Sequence, residues 1–115
     1  MREYLLLSKG NHQVWEALTP EQNAELNQKF QQWIQKLQKQ NRWVRGNGLP
    51  RRSLVVRNDE GEMVVEEGAL SVANEGFTGV FIVKAKNPVE ATELAKDCPT
   101  LLHDEIFVLE MADNG

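Results

Sequence analysis

Two runs in the second half of the chain, FTGVFIVKAK at residues 77–86 and EIFVLEM at residues 105–111, restrict the fold more than any other feature. Both are rich in β-branched and aromatic residues and read as strands. In the first, Phe77, Phe81 and Val83 alternate with Val80 and Ile82; in the second, Phe107 and Leu109 alternate with Ile106 and Val108. Successive side chains point to opposite faces of a strand, so both faces of the sheet they build are apolar. Both faces then need a cover, and helices on one side leave an association surface on the other.

The remaining segments supply two such helices. TPEQ at residues 19–22 opens the first: Thr19 caps it, Pro20 takes the first helical position, and Gln22 reaches back to the N–H of the cap. Leu26, Phe30, Trp33, Ile34 and Leu37 recur at spacings of three and four, which predicts a helix over residues 20–41 with its glutamines on the wet side. NPVE repeats the design, with Asn87 as cap, Pro88 next and Glu90 third. Ala91, Leu94, Ala95 and Cys98 share its apolar stripe, and Pro99 ends it at Cys98.

YLLLSK at residues 4–9 reads as a strand, GNHQVWEAL as a loop with an exposed His12, and NGLP as another loop. SLVVRN and EMVVEE, separated by Asp59, Glu60 and Gly61, read as a hairpin. The order strand, helix, strand or hairpin, strand, helix, strand is that of an α+β, ferredoxin-like antiparallel sheet with both helices on one face. A chain of 115 residues makes this one domain, 1–115. A face-to-face homodimer is the simplest cover for the second face.

Composition narrows the function. No apolar run approaches the ~18 residues of a membrane span. The start MREYLLLSKG, with Glu3 beside a short apolar core, does not resemble a signal peptide, so a cytoplasmic protein without membrane attachment is expected. A single cysteine and no Cys/His cluster of zinc spacing predict neither an intrachain disulfide nor a metal. The net charge of −4 argues against nucleic acid as the main partner. Residues 26–58, however, hold no acid, while Lys29, Lys36, Lys39, Arg42, Arg45, Arg51, Arg52 and Arg57 all fall there. Such a block is either a solvated rim pairing with acids elsewhere or a surface for an anion.

EGALSVANEGFTGVF at residues 67–81 raises the question of a phosphate loop. Such a loop packs its glycines at a helix start, whereas Gly68, Gly76 and Gly79 precede or enter a strand, so no nucleotide cofactor is expected. The stretch reads as a structural bend, with a bulge or close backbone approach at Gly79.

YLLLSKG, LTPEQ before a helix with Trp33, EGALSVANEGFTGVFIVKA, and PVEATELAKDCPTL together resemble the YCII-related, or DGPF, family along nearly the whole chain. Glu67, Gly68, Ala69 and Leu70 stand where that family has its signature; Val72 and Asn74 replace the charged pair that usually follows, and Glu75 and Gly79 keep the pattern. In the last strand Val108 and Glu110 replace the customary Glu and Arg. The resemblance implies a dimeric α+β barrel, in agreement with the two-faced strands, and a divergent member. It also implies a histidine on the first helix and an aspartate near the end of the second; residues 20–41 contain no histidine, and Asp97 stands near the second position.

Glu67, in place of the signature Asp, is the first candidate base, and His103, next to Asp104, the second. Trp33, Glu75, Arg51 and Arg52 are candidate ligand-binding residues, and Cys98, on a helix stripe, reads as core. The expected function is binding of a small molecule in a barrel pocket, with no reaction assigned. The alternative is a non-catalytic accessory or regulatory protein whose arginines meet a partner or an anion.

Overall fold

The computed structural model describes residues 1–69, 71–72 and 75–112, with Ala69, Ser71, Val72 and Glu75 described by their backbone alone. The chain runs β1 (Arg2–Gly10), α1 (His12–Glu16), α2 (Pro20–Lys39), β2 (Trp43–Gly48), β3 (Arg52–Asp59), β4 (Glu62–Ala69), β5 (Ser71–Val72), β6 (Glu75–Ala85), α3 (Pro88–Ala95) and β7 (Glu105–Glu110). A 3-10 turn, Pro99–Leu102, precedes β7. Four strands lie side by side in the order β2-β6-β1-β7, all pairings antiparallel, with the two-residue β5 also on β6. This is the mixed α+β, ferredoxin-like arrangement expected from the element order.

Both helix starts form as their sequences dictate. Thr19 Oγ1 accepts from the N–H of Gln22 at 3.1 Å while Gln22 Oε1 accepts from the N–H of Thr19 at 2.9 Å, and Asn87 Oδ1 accepts from the N–H of Glu90 at 2.9 Å. α2 presses Trp33 and Leu37, and α3 presses Ala91 and Ala95, onto Tyr4, Leu6, Phe81, Val83 and Ala85 of the sheet. Leu6 and Val83 are fully buried, and each such side chain contributes about 1.5–3 kcal/mol. Cys98 lies in this core as expected, but beyond the helix, since α3 ends at Ala95 and Cys98 leads into the 3-10 turn.

Three expectations need correction. The loop expected after β1 is in part α1, capped by Asn11 Oδ1 accepting from the N–H of Gln13 at 2.9 Å, and His12 is buried rather than exposed. Trp43–Gly48 forms β2, an edge strand of the main sheet, so NGLP is only partly loop. The β3–β4 hairpin does not fill that place; it makes a separate two-stranded sheet. Its turn has φ 50° at Glu60 and 93° at Gly61, the left-handed pair that suits the twist of a tight hairpin.

The register also moves one residue across the sheet. Ser8 pairs with Gly79 but Lys9 pairs with Phe77, which leaves Thr78 as the extra residue of a bulge. The bulge puts Phe77 opposite Lys9, on the side of Leu5 and Leu7, instead of with Phe81 and Val83. That side has no helix over it. Phe77, Phe107 and Leu109 there keep 39%, 45% and 47% of their surface exposed. On the hairpin, Leu54, Val56, Met63 and Val65 form a second exposed apolar stripe, since Val56 pairs with Val65 and the flanking positions alternate with them.

Candidate ligand-binding site

α1 exists because its two ends are tied down. Trp15 Nε1 donates to Asp104 Oδ1 at 2.9 Å, and His12 Nε2 lies 3.2 Å from the carbonyl oxygen of Leu49. Arg51 Nη2 donates to Glu16 Oε2 at 3.2 Å, a second clasp onto the same segment. A five-residue helix has no stability of its own; these contacts hold it against the rim of the sheet.

Between α1, α2 and β2 lies a cavity of about 530 Å³, lined by His12, Trp15, Phe30, Ile34, Trp43, Asn47, Leu49, Arg51, Thr78, Phe81 and Thr100, among others. That volume is in the usual range for small-molecule sites. Its apolar wall is an aromatic cluster: Phe30 and Phe81 have ring centroids 5.7 Å apart, and Trp43 and Phe81 6.5 Å. Trp33 meets Phe81 edge-on at 5.5 Å and is anchored by Nε1 donating to Leu94 O at 3.2 Å. Trp33 thus backs the wall rather than lining it.

Asp104 stands behind the cavity wall and holds two of its lining residues, Trp15 and Thr78. It is buried, and its carboxylate accepts from Trp15, from Ser8 Oγ at 2.8 Å and from Thr78 Oγ1. The bulge explains why Thr78 is available, because its side chain lies on the helix side together with Ser8. Gly10 makes room for the carboxylate: a Cβ there would fall 1.8 Å from Asp104 Oδ1.

The residues singled out from the sequence are dispersed. Glu67, Arg51 and Arg52 come together with Ser53, Leu54 and Gly68 around a cavity at the hairpin base. That cavity is larger, about 680 Å³, but Glu67, Arg52 and Leu54 are exposed and no ring walls it. His103 is exposed too, with its ring edge-on to Trp15 at 5.1 Å, facing a third recess with Leu18 and Leu102. Asp97 sits on the surface, 3.4 Å from Lys36. Much of the basic block pairs with acids outside it, as a solvated rim would: Lys29 with Glu25, Lys36 with Asp97, Arg42 with Glu90, Arg51 with Glu16 and Arg57 with Glu66.

Sequence reasoning placed His12 in an exposed loop and passed over Asp104 except as the neighbour of His103; both are buried. α2, read as the first helix, is the second, and α1 before it carries His12. Spacing offered one signal, since His12 and Trp15 are three apart and so share a face of α1. Among the described residues, no group of three or more His, Cys, Asp or Glu is placed to hold a metal ion, and no helix is long and apolar enough to cross a membrane. Comparison with curated proteins returns no match. The model of the YCII-related domain matches residues 2–113, and the chain belongs to that family.

Proposed function

We propose that this chain binds a small organic molecule in the cavity between α1, α2 and β2, as one half of a homodimer joined through the open sheet face. The observation that carries the binding reading is a cavity of about 530 Å³ walled by Phe30, Trp43 and Phe81 and lined also by His12, Asn47 and Thr78. Sites of this make-up, mostly apolar with a few convergent polar groups, are the usual form of ligand pockets. For proton transfer the same geometry supports His12 over Glu67 and His103. The latter two are exposed, whereas His12 meets the cavity from a fixed, buried position. Supporting the dimer are Phe77, Phe107 and Leu109, a contiguous apolar surface without a helix over it.

Saturation-transfer NMR with a library of small aromatic and polar fragments tests the pocket. Ile34→Trp fills the cavity from α2, so fragments bound by the native protein should lose their signal in this variant while its circular dichroism is unchanged. Fragments that bind both proteins equally would place the site elsewhere and refute the reading.

A further inference from the structure

The β3–β4 hairpin is amphipathic, and its apolar side has no cover of its own. Directly opposed residues share a face, so the pairs Leu54 with Glu67, Val56 with Val65 and Asn58 with Met63 put Leu54, Val56, Met63 and Val65 on one side. These four keep between 63% and 73% of their surface exposed. The reverse side closes on itself through the ion pair of Arg57 and Glu66 at 3.1 Å. None of residues 52–68 is buried, and a lone two-stranded hairpin is only marginally stable in water. The stripe needs a cover from outside the hairpin.

The bare side of the main sheet matches it in polarity and charge. Leu5, Leu7, Phe77, Ile82, Phe107 and Leu109 form its apolar middle. Arg45 pairs with Ile82 and Lys84 with Glu3, so both cations stand on that same side, as diagonal neighbours on β2 and β6. Among the described residues neither makes an ion pair, and nor do Asp59, Glu60 and Glu62, the three exposed acids around the hairpin turn. The molecule is 18 Å thick, room for one sheet and one layer of helices but not for a third layer, so the hairpin does not lie on its own sheet.

Building on the dimer reading above, we infer that the hairpin is an arm laid across the bare sheet face of a second copy of this chain. Its stripe packs on the apolar middle of that face, and its acidic turn comes to rest at Arg45 and Lys84 of the partner subunit. The eight residues of β3 reach roughly 27 Å, enough to cross four strands set about 4.8 Å apart. A foreign partner would have to bring both an apolar surface with cations for the arm and an apolar segment with acids for the face; this chain carries both. An exchange of arms is reciprocal and closes on a two-fold axis. At the exposures they keep, the four side chains of the arm with Phe77, Phe107 and Leu109 offer roughly 700 Å² per copy, near the ~800 Å² that each partner gives to a standard interface. Bare faces pressed together without the arms would leave the stripe of each hairpin in water.

Sedimentation of full-length variants over a range of concentrations tests the arm. Val56→Glu puts a carboxylate into the apolar contact, while its 65% exposed position tolerates the change in the free chain, so the dissociation constant of the dimer should rise about tenfold or more. Glu60→Lys with Glu62→Lys, and Arg45→Glu with Lys84→Glu, should each weaken the dimer about tenfold. The chain carrying all four changes should recover most of that loss, because a reversed turn then meets a reversed face. Variants that have merely lost their fold give no such recovery. A native dimer that Leu109→Asp breaks, but that Val56→Glu and the turn variant leave unchanged, is joined by its sheet faces alone; that result overturns the arm and leaves the pairing. A quadruple variant no tighter than the turn variant also overturns the arm. A native mass of one chain removes the pairing, and the arm with it.

Discussion

Asp104 is held by three donors from three different parts of the chain. Ser8 is 96 residues away, Trp15 89 and Thr78 26. Replacing the carboxylate with an amide, Asp104→Asn, turns one acceptor oxygen into a donor facing donors. The variant should be less stable by about 1.5–3 kcal/mol in urea unfolding, the usual worth of hydrogen bonds to a charged group; a loss below about 0.5 kcal/mol would mean that the cluster contributes little. None of this was legible in the sequence. His103 and Asp104 are neighbours, and nothing local says which of the two turns inward when the partners lie so far along the chain. The burial of Cys98, in contrast, was legible, although the residue lies past the end of α3 and not on its stripe. Burial pushes its thiol up from the ordinary value, outweighing the hydrogen bonds from Thr100, so the reactive thiolate is suppressed. A disulfide reagent at mild alkaline pH should label Cys98 only after unfolding in urea, and prompt labelling of the native protein would contradict its place in the core.

At the scale of elements, those with strong local rules were readable and those held by tertiary contacts were not. α2, α3 and the hairpin follow from caps, stripes and a glycine turn. α1 is too short for a periodic signal, and β2, WVRGNG, has glycines that weaken strand propensity; Gly46 is there because a Cβ would fall 2.5 Å from the Phe81 ring. The start of α3 has a further device. Glu90 accepts from the N–H of Lys86 at 3.1 Å and pairs with Arg42. The Lys86 N–H first, then Arg42, hold its carboxyl below the ordinary value of 4.5, against the opposing effect of desolvation. A carboxyl whose folded value is depressed stabilises the fold above its unfolded value and loses that contribution as pH falls through the folded one. Native protein should therefore exceed Glu90→Gln in unfolding free energy near neutral pH, with the gap closing below about pH 4.5. A gap independent of pH would show that the carboxylate's charge is not what matters.

The whole molecule is flat, with extents of 48 × 44 × 18 Å and a radius of gyration of 16.1 Å, against about 13 Å for a compact chain of this length. The hairpin accounts for part of that excess, and the bare sheet face for the thinness. The two-faced strands announced that bare face in the sequence, and Gly79 announced a bulge; that the bulge turns Phe77 onto the bare face could not be read there. The dimer proposed above should have twice the 13.1 kDa of one chain by light scattering. Leu109→Asp should shift the protein toward the single-chain mass, because a carboxylate in an apolar interface is strongly disfavoured, while the half-exposed site tolerates it in the monomer. A native mass of one chain would refute the pairing.

The strand order has a consequence in time. β1 is the first strand made, yet it lies between β6 and β7. At roughly 5–20 residues per second, synthesis passes several seconds between Gly10 and its partner Gly76. Through that interval Tyr4, Leu5, Leu6 and Leu7 emerge with neither neighbour in existence, so a central strand of the finished sheet is, for a while, a bare apolar segment suited to a chaperone. Nascent chains arrested before residue 75 should accordingly be cut by protease within β1, and those extended past residue 112 should resist.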